Sequence, residues 1–185
     1  MVIYKFLHDV DRCIDCGGCF VACKERNQVP VGTSRLSLVR VNEGKIGRER
    51  TVSISCMHCT LPPCERACPV KAIWKREDGV VLMDKDVCIG CGYCGWACPF
   101  GAPKYPHDVP EDSKYPPGIM DKCTFCVIPF EQQKDGAGNI IMSEVNPRCV
   151  SFCATKARLG GDTSEISEIY KARKATKLQT QQIGI

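Results

Sequence analysis

The stretch that decides the fold is Cys88-Ile89-Gly90-Cys91-Gly92-Tyr93-Cys94-Gly95-Trp96-Ala97-Cys98-Pro99. Its four cysteines are spaced C-x2-C-x2-C-x3-C, and a loop with that spacing curls three thiols around one centre. The fourth cysteine is about one helical turn further along the chain and points away from its own loop. This crowded spacing is typical of metal-binding cysteines rather than of disulfide partners.

Outward from this stretch, three more groups of four cysteines follow the same logic, and no cysteine is left over. The groups are Cys13, Cys16, Cys19 and Cys23 (group one); Cys56, Cys59, Cys64 and Cys68 (group two); Cys88, Cys91, Cys94 and Cys98 (group three); and Cys123, Cys126, Cys149 and Cys153 (group four). Sixteen cysteines in 185 residues is a content typical of disulfide or metal scaffolds. Groups two and three also end in Cys-Pro, which completes the bacterial iron–sulfur signature.

Four thiolates bind one [4Fe–4S] cluster, and in two-cluster ferredoxins the fourth cysteine of each group binds the other cluster. The sequence therefore predicts four [4Fe–4S] clusters whose ligands cross between groups. The expected ligand sets are Cys13, Cys16, Cys19 and Cys153 (cluster 1); Cys123, Cys126, Cys149 and Cys23 (cluster 2); Cys56, Cys59, Cys64 and Cys98 (cluster 3); and Cys88, Cys91, Cys94 and Cys68 (cluster 4). A zinc scaffold is the non-redox alternative, but structural zinc usually uses two separated C-x2-C pairs.

This pairing predicts an α+β fold of two interleaved ferredoxin-like modules, with short strands, short helices and many loops. Residues 51–105 form the inner module, and residues 1–50 with 106–160 form the outer one. Asp78-Gly79 lies between two apolar runs of the inner module and predicts a β-hairpin. Residues 161–185 form a C-terminal helix and tail, for which Asp162 is the expected N-cap.

Periodicity and turn residues predict the remaining elements. The expected strands are 2–6, 36–41 and 51–54, with a possible return strand at 140–142, and the expected short helices follow the cysteine groups at 21–25, 65–68, 95–98 and 150–155. The proline-rich segment 101–120 is expected to be an irregular crossover. The insert between Cys126 and Cys149 is either a partner-contacting hairpin or a surface loop. The C-terminal helix packs either on its own domain or on a partner subunit.

Composition and charge exclude several classes of protein. No apolar run reaches the ~20 residues of a membrane-spanning helix, and no block of like charges indicates nucleic-acid binding. Four loaded clusters turn the formal charge of +4 into about −4, so the basic residues balance cluster charge. The N-terminus has no secretory signal pattern, which favours the cytoplasm, with co-export beside a signal-bearing partner as the alternative.

Beyond the cysteines, few residues carry recognisable chemistry. The chain has no phosphate-binding loop and no nucleophile elbow, so it is expected to be non-catalytic. His58, next to Cys59, either donates a hydrogen bond to a cluster sulfur or simply packs behind the cysteines. Trp74 and Trp96 are expected to pack in the interior, with Trp96 covering cluster surface.

Several stretches resemble the four-cluster iron–sulfur subunits of molybdenum- and tungsten-pterin oxidoreductases, a family that serves formate dehydrogenases and dimethyl-sulfoxide reductase. They are Cys56-Met57-His58-Cys59, Cys64-Glu65-Arg66-Ala67-Cys68-Pro69, Cys88-Ile89-Gly90-Cys91-Gly92-Tyr93-Cys94, Ala97-Cys98-Pro99-Phe100-Gly101-Ala102-Pro103 and Met120-Asp121-Lys122-Cys123-Thr124-Phe125-Cys126. Relatives that lack one group-three ligand hold a [3Fe–4S] cluster. Cys91 is intact here, so the resemblance implies four [4Fe–4S] clusters.

The resemblance also implies partners. The chain is expected to relay single electrons to or from a large pterin-containing catalytic subunit, of formate dehydrogenase, aldehyde oxidoreductase or aromatic-ring reductase type. A further redox subunit, linked to flavin, ferredoxin or quinone, is a possible second partner. A free-standing polyferredoxin carrier is the alternative. The sequence leaves open the substrate, the metal of the partner and the direction of electron flow.

Overall fold

The computed structural model describes residues 2–182, in which short elements alternate with long loops. The strands are β1 (Tyr4–His8), β2 (Leu36–Val41), β3 (Arg50–Ser55), β4 (Ile73–Lys75), β5 (Val81–Met83) and β6 (Arg158–Asp162). The helices are α1 (Gly18–Asn27), α2 (Pro63–Arg66), α3 (Tyr93–Ala97), α4 (Arg148–Ser151) and α5 (Thr163–Gln182). The mixed architecture with short elements agrees with the predicted α+β class.

The strands form three separate antiparallel pairs. β1 pairs with β6, which joins the two ends of the chain with Phe6 opposite Gly160. β2 pairs with β3, and β4 pairs with β5 in the hairpin that Asp78-Gly79 predicted. Gly79 has a φ of 83° and donates its N–H to the Arg76 carbonyl at 3.0 Å, so the turn uses a conformation that glycine adopts freely.

Each of the first four helices has the third cysteine of its group as its second residue. These cysteines are Cys19, Cys64, Cys94 and Cys149. The four predicted short helices are present, but each begins inside its cysteine group and therefore earlier than predicted. Gly17 and Gly92 precede α1 and α3 with φ of 72° and 82°, and Pro62 and Pro147 precede the other two. These residues set the sharp turn that starts each helix.

Two other boundaries differ from the sequence prediction. The first strand starts at Tyr4 instead of residue 2 and extends to His8, because its five residues pair with the five residues of β6. The predicted strand at 140–142 is wrong, since only one bridge forms there, between Lys134 and Ile140. Residues 101–120 form neither helix nor strand, as their prolines predicted; Lys104 makes one bridge to Asp121.

The insert between Cys126 and Cys149 is a surface loop only in part. Val127, Ile128, Phe130 and Gln132 are buried, whereas residues 135–139 form an exposed turn. The burial of its first half makes this segment part of the protein core.

The central apolar cluster consists of Val80, Leu82, Phe125, Val127 and Ile128. The Phe125 ring stacks on Phe6 with 4.1 Å between centroids, and Trp74 packs against the cluster as expected. The expectation for Trp96 is wrong, because its side chain is 87% exposed beside the half-exposed Tyr93. Its place on the short helix α3 turns it outward from the cysteines that flank it.

Helix α5 packs against its own domain. Asp162 accepts a hydrogen bond from the Ser164 N–H at 2.8 Å, which caps the helix start as predicted. Ile166 is buried, and Lys174 and Lys177 lie 2.8 and 2.9 Å from Asp11. The predicted C-terminal tail includes residues 183–185, which lie outside the residues that the structure describes. Within the described part of the chain, no helix combines the length and apolarity that a membrane span requires.

Candidate metal centres

One cavity of about 320 Å³ is lined by cysteines from two groups. Cys88, Cys91 and Cys94 come from group three, and Cys68 comes from group two. Ile73 and Met120 supply part of an otherwise apolar wall. The Tyr105 hydroxyl accepts the Gly95 N–H at 3.0 Å and lies 3.0 Å from Cys94 Sγ, so its own hydrogen is directed at that sulfur.

A second cavity, of about 340 Å³, shows the reciprocal arrangement. It is lined by Cys56, Cys59, Cys64 and Cys98, three cysteines of group two and the last of group three. Helices α2 and α3, which carry Cys64 and Cys94, pack against each other and bring the two groups together. Each of the two cavities therefore combines three cysteines of one group with the last cysteine of the other group.

The buried cysteines of group four lie next to Cys23 of group one. Burial, and then the nearby Cys149, raise the pKa of the Cys23 thiol to about 12. Burial followed by Cys23 and Cys149 raises the pKa of Cys123 as well. Without iron these thiols stay protonated, and metal binding is what ionises them.

Group one lies nearer the surface. Burial is the main cause that raises the pKa of Cys19, which lies near Cys149 and Cys153. Cys13 lines a polar groove with Asp15 and Arg40, and Cys16 lines the adjacent groove. Of the sixteen cysteines, all within the described residues, only Cys16 and Cys91 are exposed, and each is the middle residue of a C-x2-C-x2-C run.

Four lysine and arginine side chains are buried among residues 2–182, although burying a charge is costly unless it is compensated. They are Arg35, Lys85, Lys122 and Arg158, each no more than 4% exposed. Arg158 donates from Nε to Cys149 Sγ at 3.3 Å and from its other nitrogens to Ser53 Oγ and Ser55 Oγ at 2.7 and 2.6 Å. Lys122 lines the second cavity and donates to the carbonyls of Val81 and Cys123.

Arg158 and Lys122 have no carboxylate within 4.0 Å among residues 2–182. Lys122 lines the second cavity and Arg158 contacts Cys149, so thiolates are the nearest source of counter-charge for both. Loaded clusters with four thiolates each carry net negative charge, which fits two unpaired buried cations. The residues present thus suit [4Fe–4S] clusters in donor chemistry and charge.

Arg35 and Lys85 share a buried carboxylate, that of Asp121. Arg35 binds both Asp121 oxygens at 2.7 Å, and Lys85 Nζ lies 3.0 Å from Asp121 Oδ1. Burial alone would raise the pKa of Asp121, but the two cations lower it below its ordinary value. Burial lowers the pKa of Lys85 to about 8, and Asp121 only partly offsets this.

Comparison with known proteins agrees with this geometry. Residues 49–163 match the family model described as the 4Fe-4S dicluster domain. The chain belongs to this 4Fe-4S dicluster family. The matched range holds groups two, three and four, and group one precedes it.

Curated relatives of this dicluster protein are iron–sulfur subunits. The formate dehydrogenase iron-sulfur subunit of Wolinella succinogenes is 48% identical over 91% of this chain and 86% of its own length. The thiosulfate reductase electron transfer subunit of Salmonella typhi is 38% identical over 93% of this chain and 86% of its own. A chain of the anaerobic dimethyl sulfoxide reductase of Escherichia coli is 35% identical over 88% of this chain and 75% of its own.

The sixteen cysteines of this chain supply the thiolates of four [4Fe–4S] clusters. A [4Fe–4S] cluster, when bound, supplies one-electron transfer. The chain is an electron-transfer subunit and not the catalytic one, in agreement with the names of its relatives. The cofactor predicted from cysteine spacing and the family that the resemblance implied are therefore confirmed.

His58 lies in the core rather than in its group's cavity. Its Nδ1 accepts the Val81 N–H at 2.9 Å, so the proton of the neutral ring is on Nε2. Burial, and then Lys122, lower the pKa of His58 well below its ordinary value. The ring makes an edge contact with Phe125 at 5.1 Å between centroids, and its buried Nε2 has no hydrogen-bond partner among residues 2–182.

Cysteine spacing does not mark the other side chains that lie beside the cysteines. These are Asn27, Arg35, Tyr105, Lys122 and Arg158. Of these residues only Lys122 is adjacent to a cysteine in the sequence, directly before Cys123. The others reach the cysteines through tertiary packing, and no spacing rule marks them.

Proposed function

We propose that this dicluster-family chain relays single electrons between a molybdenum- or tungsten-pterin catalytic subunit and a further redox partner. The observation that carries the proposal is the pair of cavities in which groups two and three exchange their last cysteine. Fully cysteine-ligated clusters have no open iron position for a substrate, so such sites transfer electrons and leave chemistry to another subunit.

The ligand assignment is part of this proposal. Each cluster takes three cysteines of one group and the fourth of its paired group. The sets are Cys13, Cys16, Cys19 and Cys153 (cluster 1); Cys23, Cys123, Cys126 and Cys149 (cluster 2); Cys56, Cys59, Cys64 and Cys98 (cluster 3); and Cys68, Cys88, Cys91 and Cys94 (cluster 4). The cavity linings support clusters 3 and 4. For cluster 2, Cys23 and Cys149 lie in one buried group, and Asn27 Nδ2 contacts the sulfurs of both Cys23 and Cys126.

The same contacts suggest the order of the relay. Cys123 of cluster 2 lies near Cys56 of cluster 3, and both belong to one buried cluster with Ala102. Cys19 of cluster 1 lies near Cys149 of cluster 2. This supports the order 1–2–3–4, with the exposed Cys16 and Cys91 at the ends where electrons enter and leave.

Two interleaved modules accommodate this order. Residues 51–105 carry clusters 3 and 4, and residues 1–50 with 106–160 carry clusters 1 and 2. The pairing of β1 with β6 supports an outer module assembled from both ends of the chain. We place the protein in the cytoplasm, with co-export beside a signal-bearing partner as the alternative; cell fractionation of the native organism distinguishes them.

A subunit role is favoured over a free-standing polyferredoxin carrier. The relatives are named as subunits or chains, and this protein spans 75–86% of their length. The insert after Cys126 and helix α5 are held by this chain itself, so they do not support docking. The exposed Trp96 beside Tyr93, on the helix that carries Cys94, does favour a partner at that end.

The experiment is anaerobic purification of the native complex, followed by metal and sulfide analysis of the whole and of this chain. We expect about sixteen iron and sixteen acid-labile sulfides per chain and a co-purifying large subunit that contains molybdenum or tungsten. A fully loaded chain that migrates alone in native extract would support the polyferredoxin alternative. Zinc without sulfide would overturn both.

A further inference from the structure

Asn27 is the last residue of α1, one helical turn after Cys23, and is only 2% exposed. Its side-chain Nδ2 lies 2.8 Å from the Cys23 carbonyl, 3.6 Å from Cys126 Sγ and 3.8 Å from Cys23 Sγ. An amide NH2 has two hydrogens. One satisfies the carbonyl, and the other is directed at the two sulfurs.

The orientation of this amide is fixed by Arg35. Arg35 Nη1 lies 3.0 Å from Asn27 Oδ1, and a guanidinium can only donate hydrogen bonds. The atom that faces Arg35 must therefore be the oxygen, which leaves the NH2 to face the cysteines.

Arg35 itself has little freedom. Its guanidinium binds both oxygens of Asp121 at 2.7 Å, and the two hydrogens of Nη1 are shared among Asn27 Oδ1, Thr124 Oγ1 and the Ile128 carbonyl, the last two at 3.1 and 3.0 Å. The side chain is fully buried. Because a guanidinium is planar and its N–H groups have fixed directions, these acceptors hold Arg35 in one orientation.

We propose that Asn27 donates a hydrogen bond to the sulfurs of Cys23 and Cys126 and thereby raises the reduction potential of the cluster that they hold. Arg35 is the positioning residue that orients Asn27. The inference rests on the ligand assignment proposed above for cluster 2. A reduced cluster carries one more negative charge than an oxidised one, so a donor at its sulfurs stabilises the reduced state.

The test is an EPR-monitored redox titration of the anaerobically purified protein with two variants of Asn27. Asn27→Leu keeps the volume and removes the donor. Asn27→Asp keeps the oxygen that pairs with Arg35 and turns an acceptor toward the sulfurs. Gln133→Leu, at an exposed position, is the matched control.

In Asn27→Leu we expect one of the four cluster signals to titrate at a lower potential, so that its reduced-to-oxidised ratio at a fixed potential falls roughly tenfold. In Asn27→Asp we expect the potential of the same signal to fall further. The potentials of the other three signals stay at wild-type values, as do all the potentials of Gln133→Leu. Unchanged potentials in Asn27→Asp at full iron content overturn the inference. Asn27→Asp keeps the Arg35 contact, so it gives an answer even where Asn27→Leu fails to load iron.

Arg35 is tested by rescue. Arg35→Met frees the Asn27 amide, and we expect it to lower the potential of the same signal; Arg35→Lys, which can still donate to Asn27 Oδ1, recovers part of the shift. A shift spread over all four signals would show a general structural effect and contradict the positioning role. A wild-type protein without four clusters would instead show that the proposed ligand assignment is wrong. Failure of the assignment can therefore be told apart from failure of the inference about Asn27.

Discussion

Arg158 is the residue whose burial depends most directly on bound clusters. It donates to Cys149 Sγ and has no carboxylate partner among residues 2–182, while its guanidinium lies 4.2 Å from the Phe6 ring centroid. We expect Arg158→Met to lower the potentials of clusters 1 and 2, the clusters to which the proposed assignment gives Cys153 and Cys149, because a buried positive charge favours the reduced state. EPR-monitored redox titration measures this. Arg158→Lys keeps the charge and should retain part of the potential, whereas equal loss in both variants would argue against a charge effect.

Asp121 neutralises two buried cations, so its removal should be costly. Asp121→Asn leaves Arg35 and Lys85 without a charged partner, and breaking a buried pair typically costs about 3–5 kcal/mol. We expect a clear drop in the guanidinium chloride midpoint, followed by loss of the visible absorbance of the clusters. Asp112→Asn, at an exposed position, is the control and should behave like wild type.

Lys85 gives this network a pH dependence. Its pKa is lowered to about 8 from the ordinary 10.5, so the unfolded chain binds more protons than the folded chain between these values. Stability contributed by Lys85 therefore rises as pH increases from about 8 to about 10. Lys85→Met should lose this rise in denaturant titrations across that pH range. A variant with the wild-type slope would show that another group is responsible.

At the residue scale, the sequence predicts the cysteines and not their surroundings. Cysteine spacing is local, so the four groups are evident without a structure. Arg35 lies near Cys123, in a distant part of the chain, and Arg158 reaches Cys149 from a different element, so both placements depend on tertiary packing. Trp96 looked like a core residue because aromatic residues mainly fill cores, and its outward direction was set by α3.

At the scale of elements, the pairing of β1 with β6 joins two segments that are far apart in the sequence. A Cβ placed on Gly160 would lie 2.6 Å from Phe6 Cδ1 and 2.8 Å from Val150 Cγ2, whereas one on Gly161 would have its nearest atom at 3.8 Å. Gly160→Ala should therefore destabilise the protein by about 1–3 kcal/mol through overpacking. Gly161→Ala is the matched control for the loss of a glycine. Equal unfolding midpoints for the two variants would contradict this packing.

The elements with local signals were predicted well. Strand 36–41 and the Asp78-Gly79 hairpin match the structure, because alternation and turn residues act within a few positions. The short helices were displaced, since their starts are set by Gly17, Gly92, Pro62 and Pro147 inside the cysteine groups. The buried half of the insert after Cys126 was missed because its burial depends on the hairpin of β4 and β5 against which it packs.

At the scale of the whole molecule, the clusters take the place of a large apolar core. Buried apolar residues form several small groups, three of which include cysteines. Removal of iron leaves neutral thiols and the unpaired cations Arg158 and Lys122, so we expect the apo chain to lose fixed tertiary packing. Near-ultraviolet circular dichroism before and after anaerobic chelation measures this loss. A native-like apo spectrum would contradict it.

The central claim is that ligands cross between cysteine groups, and an anaerobic crystal structure with anomalous data at the iron edge tests it most directly. The account predicts four iron cubes per chain, two of them in the cavities lined by Cys56, Cys59, Cys64 and Cys98 and by Cys68, Cys88, Cys91 and Cys94. A cube bound by all four cysteines of a single group would contradict it.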